Sequence, residues 1–260
     1  MKREPFFWIA VCSGIMIMAF ILLPLIQLLT APTGDMLRET IQDKEVIRSI
    51  WLSIYTAGLA AFISFFLGTP LAYLLARYDF RGKRIVESII DLPIAIPHPV
   101  VGIAILSLAG KGHWFGQILA EVGVRIMGSV TGIVTVLTFV GIPFYLNAAK
   151  TGFEAISPRL EKVSRSLGAS IFSTFSRITF PLAWRSVLIG LIMCTARAIS
   201  EFGAVVIVAY HPMIAPVMIY ERFEAYGLKY SQPVAVWLIS ISLILFFFLR
   251  VLTLHKGKEQ

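Results

Sequence analysis

Arg197 and Glu201 are the two ionisable residues of an otherwise apolar stretch, residues 186–210. They are four residues apart, so on a helix they share one face, where their opposite charges can neutralise each other. One interpretation places the pair beside a translocation path, with Arg197 attracting an anion. The alternative is a structural pair that only joins helices near the outer end of a membrane span.

A second unusual segment, residues 92–99, contains three prolines and His98. Proline bends or breaks a helix, and irregular backbone inside a membrane is tolerated only where protein shields it or where it lines a cavity. The segment is either a gate or pathway wall, or a helix entry at the membrane boundary that Asp91 marks; we favour the helix entry. His98 is interpreted as a satisfied polar residue rather than a ligand. The candidate pathway or gate residues are Pro97, His98, Arg197, Ser200 and Glu201.

Other site chemistry is missing from the sequence. The four histidines are scattered over different segments, and Cys12 and Cys194 lie in apolar runs without metal-ligand spacing. No Gly-x-x-x-x-Gly-Lys-Ser/Thr phosphate loop occurs. We therefore predict no catalytic residue, no metal site and no cofactor bound by this chain. If the chain takes part in an energy-driven process, the energy must come from a partner protein or from an ion gradient.

The composition identifies lipid as the solvent of this chain. Hydrophobic residues make up 57% of the sequence and charged residues 15%, and the mean hydropathy is +0.82. This is too apolar for a chain that must cover a soluble surface. The net charge of +8 does not indicate nucleic acid, because the basic residues are spread through short loops between apolar segments.

Six apolar stretches are each close to the roughly 20 residues that a membrane-spanning helix needs, or longer. Together they predict one all-α membrane domain over residues 1–260. A cleaved signal peptide is the alternative for the first stretch, but that stretch is longer than an ordinary signal-peptide core and contains Pro24. The predicted spans cover residues 6–29, 49–76, 92–110, 128–149, 186–210 and 231–249.

The charges of the connecting segments predict the orientation in the cell membrane. Fifteen Lys and Arg residues fall in the termini and loops of one side, and seven fall in the loops of the other side. Because Lys and Arg favour the cytoplasmic side, both termini and the loop 150–185 are predicted to be cytoplasmic.

The loop 150–185 is the one connection judged long enough for structure of its own. Ser157 and Pro158 are typical of a helix start, and Gly168 is typical of a left-handed helix end. A second short helix should follow, and Pro181 should stop it. The predicted apolar faces comprise Leu160, Val163 and Leu167 in the first helix, and Ile171, Phe172, Phe175 and Ile178 in the second.

The spacing of this loop is specific. Lys162-Val163-Ser164 is followed three residues later by Gly168, which is followed at fixed distances by Ile178 and by Pro181. The pattern resembles the loop of importer permeases of the ABC class, which is Glu-Ala-Ala, three residues, Gly, nine residues, Ile, one residue, Leu-Pro. Lys162 departs from it, because Glu is usual at that position and Glu161 comes one residue early. The resemblance therefore assigns no role to that carboxylate.

In that family the loop is a coupling helix, which sits in a groove of the ATPase subunit and transmits its closure. The alternative is an amphipathic helix on the membrane surface, although the joint spacing of Gly, Ile and Pro favours coupling. The resemblance implies that the coupling residues are Pro158, Leu160, Glu161, Lys162, Val163, Ser164, Leu167, Gly168, Ala169, Phe172, Phe175, Ile178 and Pro181.

Two further segments carry a resemblance. Residues 196–204 have the sequence Ala-Arg-Ala-Ile-Ser-Glu-Phe-Gly-Ala, which is similar to the fifth span of molybdate, tungstate and sulfate permeases. Residues 215–223 look most like archaeal-type tungstate/molybdate permeases, and the likeness covers essentially the whole chain. It implies uptake of molybdate or tungstate, with sulfate or thiosulfate as the alternative.

The resemblance also implies an architecture and partners. It predicts the type I ABC importer permease fold, as a homodimer around a central path. Two ATPase subunits, which bind ATP and Mg, and an extracytoplasmic oxyanion-binding protein complete the assembly. An ion-coupled secondary transporter would place more ionisable residues at mid-membrane, and an integral membrane enzyme would need a cluster of acid, histidine or cysteine side chains.

Overall fold

The fold is entirely helical in the part of the chain that the computed structural model describes, residues 5–110 and 112–255. A π turn, Phe175–Thr179, lies between α9 and α10. The α-helices in chain order are α1 Pro5–Thr30, α2 Gly34–Gln42, α3 Lys44–Arg77, α4 Lys83–Ala95, α5 His98–Ala109, α6 Trp114–Glu121, α7 Val130–Glu154, α8 Pro158–Ser166, α9 Ile171–Thr174, α10 Phe180–Ile199, α11 Val205–Val208, α12 Ala215–Tyr226 and α13 Leu228–His255.

Five helical stretches of the described residues are long and apolar enough to cross a membrane, and there are six if the bent pair α4 and α5 counts as one span. Helices suit this solvent because they satisfy their backbone hydrogen bonds internally. The predicted all-α membrane class is confirmed. The five stretches are Phe6–Thr30, Lys44–Arg77, Val130–Glu154, Ile171–Ile199 and Leu228–Val251.

Helices α3, α7 and α10 form the centre of the subunit. Small residues let α7 and α10 approach closely: a Cβ atom added at Gly152 would lie 2.2 Å from Cβ of Ser186. Such small contacts replace the hydrophobic driving force that lipid does not supply. Tyr145 of α7 is fully buried, and its hydroxyl oxygen lies 2.6 Å from Oγ1 of Thr69 on α3, so its polar atom is also satisfied.

The third predicted span, residues 92–110, differs from the structure. A helix already begins at Lys83, and the chain bends by 112° between α4 and α5. Pro97 is the N-cap residue of α5 and stands at the bend. A helix does enter here, as the favoured prediction has it, because α5 begins directly after Pro97 and carries a proline in its first turn. The same segment also ends α4, since proline lacks the N–H that would continue that helix. Its place at the membrane boundary stays a prediction.

Two polar contacts hold α4 against α7. Nζ of Lys150 lies 2.5 Å from Oε1 of Glu87, and Nδ2 of Asn147 donates to Oδ1 of Asp91 over 2.8 Å. The position of α4, which precedes the bend, is therefore fixed by specific side chains.

The fifth predicted span, residues 186–210, is wrong at both ends. Helix α10 begins at Phe180 and ends at Ile199, with Ser200 as its C-cap residue. A turn of irregular backbone and the one-turn helix α11 follow. The apolar composition continues past Ile199, but the carboxylate of Glu201 accepts the backbone N–H of Ala204 over 2.8 Å, which stabilises a turn rather than a longer helix.

The predicted stop at Pro181 is also wrong. The chain stays helical from α9 through the π turn into α10, and Pro181 lies in the first turn of α10. The N–H of Phe180 bonds to the carbonyl of Phe175, which is five residues earlier. This wider turn accommodates a proline that an ordinary α-helical ladder would exclude.

The remaining connections carry structure too, which the sequence did not predict. Helices α2, α6, α11 and α12 all lie between the long spans. At the start of α3, Nη2 of Arg222 on α12 lies 2.5 Å from Oδ2 of Asp43. Trp237 of α13 donates its indole N–H to the carbonyl of Leu37 on α2 over 2.9 Å, so this end of the subunit is also packed.

Candidate functional site

The five candidate pathway or gate residues come together in the structure, and we call them the Arg197 cluster. Nη2 of Arg197 donates to Oε2 of Glu201 over 2.5 Å. The same Nη2 lies 2.8 Å from Nδ1 and 2.9 Å from Nε2 of His98. Nη1 of Arg197 donates to Oγ of Ser200 over 3.4 Å. Pro97 precedes His98 at the bend.

Glu201 is the buried centre of the Arg197 cluster, with 1% of its side chain exposed. Its Oε1 accepts the N–H of Ala204, and its Oε2 also lies 3.0 Å from Nδ1 of His98. A neutral His98 satisfies both neighbours when Nδ1 donates to Glu201 and Nε2 accepts from Arg197. The carboxylate is thus fully bonded, as a buried charge must be.

Two breaks in the helical backbone meet at the Arg197 cluster. The bend between α4 and α5 brings His98 against the turn that follows α10. A Cβ atom added at Gly203 would lie 3.1 Å from Cβ of His98, and one at Gly102 would lie 2.7 Å from the carbonyl oxygen of Ala204. Irregular backbone at membrane depth is tolerated where it is buried in protein or lines a cavity.

The chemistry of the Arg197 cluster is that of a compensated cation. Arg197 is 19% exposed and His98 is 40% exposed, whereas Glu201 is buried behind them. The donors of Arg197 and the hydroxyl of exposed Ser200 can bond an anion, while Glu201 limits the net positive charge. Both original interpretations of the pair are compatible with this geometry, because it joins helices and also presents donors.

The predicted helix start and glycine turn of the coupling loop are present. Oγ of Ser157 accepts the N–H of Arg159, and Pro158 is the first residue of α8. Gly168 has φ +88°, a conformation that L side chains rarely adopt. Its N–H bonds to the carbonyl of Arg165 over 3.0 Å, so the loop reverses as a helix C-cap does.

Helix α8 turns its apolar face away from the rest of the described chain. Leu160, Val163 and Leu167 are 47%, 59% and 84% exposed. Phe172 of α9, the helix that follows, is 78% exposed as well. The apolar face predicted from the sequence exists, and it is available to a partner rather than packed against α8's own subunit.

The inward face of α8 is polar and carries Glu161. Its Oε1 accepts from Nε of Arg77 over 2.8 Å and from Oγ1 of Thr179 over 2.9 Å. Its Oε2 accepts from the hydroxyl of Tyr73 over 3.1 Å. Lys162, at the position where the family pattern has Glu, is exposed. We call Tyr73, Arg77, Glu161 and Thr179 the Glu161 cluster.

The sequence did not predict the Glu161 cluster. A weak signal existed, because Tyr73 and Arg77 are four residues apart at the end of the second span and so share a helix face. Of the other coupling residues, Ser164 bonds Thr174 of α9 at 3.0 Å. Ala169 and Ile178 are partly buried, and Pro181 is exposed at the start of α10.

Phe175 packs into an aromatic group beneath the loop. Its ring centroid lies 5.0 Å from that of Tyr73, 5.9 Å from that of Phe153 and 5.8 Å from that of Phe180. The coupling loop therefore packs on a cluster of aromatic side chains.

Within the described ranges, no three His, Cys, Asp or Glu side chains are grouped so that they could hold a metal ion.

A bundle of long apolar helices, with a helix–glycine–helix element between two of them, is the architecture of a multi-pass membrane protein. Residues 68–255 match the family described as binding-protein-dependent transport system inner membrane component. The chain belongs to this family, so the predicted class of protein is confirmed.

The names of individual relatives specify a substrate, which the family description does not. The chain is 43% identical over 244 residues to the molybdate/tungstate transport system permease protein WtpB of Methanocaldococcus jannaschii, covering 94% of this chain and 95% of that protein. It is 32% identical over 234 residues to a probable sulfate transport system permease protein, cysT, of Chlorokybus atmophyticus, covering 87% and 82%.

A solved structure has the same fold. It is a bacterial ABC transporter involved in the import of the acidic polysaccharide alginate, which matches with a TM-score of 0.80 at 18% identity over 99% of this chain and 98% of that chain. The predicted importer permease fold is therefore confirmed.

Proposed function

We propose that this chain is the membrane-spanning permease subunit of an ATP-driven importer for molybdate or tungstate. The observation that carries the proposal is the exposed apolar face of α8, which ends at a left-handed Gly168 in a chain of the binding-protein-dependent transport family. An element of this kind needs a protein to cover it.

The partner at α8 is an ATPase subunit. The sequence carries no phosphate loop, so ATP and Mg bind to that partner and not to this chain. Leu160, Val163, Leu167 and Phe172 supply the apolar contact, and the exposed basic residues Arg159, Lys162 and Arg165 surround it. Apolar anchors with a polar rim are the usual composition of a specific protein interface.

The substrate assignment rests on likeness over the whole chain. The molybdate/tungstate permease relative shares 43% of aligned residues, against 32% for the sulfate permease relative. Molybdate and tungstate are therefore proposed as the substrates, and sulfate is the alternative. All are tetrahedral divalent oxyanions, so the permease need supply only a few compensated donors along the path.

The complete importer would contain two copies of this chain, two ATPase subunits and an oxyanion-binding protein on the outer side. The loop charges support an orientation with α8 in the cytoplasm. The Arg197 cluster would lie beside the translocation path, because it combines backbone breaks with partly exposed donors.

The proposal is tested by reconstituting the chain with its ATPase subunit in liposomes. Binding protein loaded with molybdate or tungstate should stimulate ATP hydrolysis and drive uptake, and binding protein loaded with sulfate should do so less. Stimulation by sulfate alone would favour the sulfate alternative. Uptake that follows an ion gradient without ATP would instead identify an ion-coupled transporter.

A further inference from the structure

We propose that Glu161 is a positioning residue that transmits movement of the coupling helix α8 to the transmembrane helix α3. The inference rests on the proposed function, since it presumes an ATPase subunit at α8. It assigns to Glu161 a mechanical connection inside the permease rather than contact with the ATPase.

The first step of the argument is the direction in which Glu161 points. The neighbouring side chains Lys162 and Val163 are exposed, but only 13% of the Glu161 side chain is exposed. A carboxylate turned inward on a helix whose apolar face is turned outward is unusual, because burial disfavours a charge unless it is paired. Glu161 is therefore engaged by its own subunit and is poorly placed to contact a partner.

The second step concerns the elements that Glu161 connects. Helix α8 packs chiefly against α9 and the π turn. The carboxylate of Glu161 bonds to Tyr73 and Arg77 of α3 and, through Thr179, to the π turn that leads into α10. One side chain thus ties the coupling helix to two of the three central helices.

The third step is the dependence of Arg77 on this carboxylate. The Arg77 side chain is 7% exposed, and its Nη2 atom is buried without a hydrogen-bond partner. Glu161 is the anion paired with it. Separating α8 from α3 would leave a buried, uncompensated cation, so the two helices are expected to move together.

The fourth step is the reach of α3. This helix has 34 residues and is about 51 Å long. At its other end, Asp43 pairs with Arg222 beside an open cavity of about 690 Å³. Helix α3 therefore has an ion pair at each end and can carry a displacement of α8 to the opposite face of the subunit.

The test uses the reconstituted importer and the double variant Arg77→Leu with Glu161→Leu. Replacing both charges by apolar side chains removes the connection without stranding a buried charge. The variant should bind the ATPase subunit and hydrolyse ATP at the basal rate. Its stimulation by loaded binding protein should fall by about two- to thirtyfold, the range that residues along a coupling route contribute.

Glu161→Gln supplies a second variant of nearly the same shape. It keeps one acceptor oxygen but leaves the buried Arg77 without its anion, so the folded yield should be lower than that of the double variant. Stimulation measured per folded complex should fall again. The matched control is Asp79→Ala, which removes a carboxylate that is 98% exposed and paired with Lys83 just beyond α3; stimulation should be unchanged.

Undiminished stimulation in both Glu161 variants would overturn the inference. Loss of ATPase binding would overturn it too, because it would place Glu161 in the docking surface. Failure of the wild-type chain to bind an ATPase would instead refute the proposed function, so the two failures are distinguishable.

Discussion

Nδ1 of His98 lies 3.0 Å from Oε2 of Glu201, and this contact joins the start of α5 to the turn after α10. Arg197 bonds to both residues. The ion pair of Arg197 and Glu201 is therefore part of a three-residue group. Without Arg197, Glu201 still has His98 as a partner, whereas without Glu201 the cation of Arg197 loses its anion. The first prediction rests on this difference.

Glu201→Ala should be the most damaging change in the Arg197 cluster. It leaves the cation of Arg197 without an anion and frees the N–H of Ala204, at a cost of about 3 kcal/mol or more. Arg197→Ala should be milder, because His98 still donates to Glu201, and the double replacement should be milder than Glu201→Ala. Folded yield in detergent and oxyanion uptake measure the order.

The control for this series is Glu224→Ala, which removes an exposed carboxylate and should change neither yield nor uptake. A double variant that is the worst of the three by both assays would contradict mutual neutralisation. It would indicate that Arg197 and Glu201 act independently.

Orientation is a separate prediction. A cysteine at Asp35 on α2 should react with an impermeant thiol reagent added outside intact cells, and one at Ser173 on α9 should react only after permeabilisation. The background should carry Cys12→Ser and Cys194→Ala, since Cys12 is exposed. Labelling of the Ser173 position from outside would reverse the proposed orientation.

The Asp43–Arg222 pair predicts a pH dependence. Partial burial opposes ionisation of Asp43, but the N–H of Glu45 and the guanidinium of Arg222 outweigh it, so the pKa of Asp43 lies below its ordinary value of 3.8. A depressed pKa means that ionised Asp43 stabilises the fold above about pH 3.8, and that this contribution is lost as the pH falls through the folded-state pKa.

Asp43→Asn keeps a helix-capping oxygen but removes the charge. It should lower the Tm in detergent at neutral pH, and the difference from wild type should shrink as the pH falls below 3.8. Arg222→Gln should give a similar loss at neutral pH. If the Tm of Asp43→Asn differs from that of the wild type by the same amount at neutral pH and below pH 3.8, the charge of Asp43 is not the cause of the difference.

The sequence predicted the features that depend on local pattern. Long apolar runs predicted membrane-spanning helices, because a helix satisfies all its backbone hydrogen bonds internally in lipid. The four-residue spacing of Arg197 and Glu201 predicted their contact. Gly168 was predicted from helix-ending chemistry alone, and its φ of +88° confirms it.

Contacts between distant segments could not be predicted. His98 is 99 residues from Arg197 in the chain, and nothing near it in sequence indicates that partner. The prolines of residues 92–99 indicated a break in the helix, but not its angle of 112° or the contact of α4 with α7. The sequence showed Glu161 only as a polar residue of an amphipathic helix. Its partners Tyr73 and Arg77 lie on another span, so its contacts with them could not be predicted.

Gly168→Val tests the coupling loop, on which the proposed function mainly depends. A side chain at this positive φ costs about 1 kcal/mol, and a branched one costs more. No atom lies within 4 Å of the position that a Cβ would occupy, so the subunit itself has room for the side chain. The spans should therefore still insert. The ATPase subunits should dissociate, or hydrolyse ATP without responding to loaded binding protein.

Gly82→Val is the matched control for this change. Gly82 also has a positive φ, +93°, with no neighbour within 4 Å of an added Cβ, so it bears the same backbone strain outside the coupling loop. Stability should fall similarly in the two variants, whereas ATPase stimulation should fall only in Gly168→Val. A helix that merely lay on the membrane would lose a cap without any effect on stimulation. Normal ATPase binding, stimulation and uptake in Gly168→Val would therefore remove the coupling assignment.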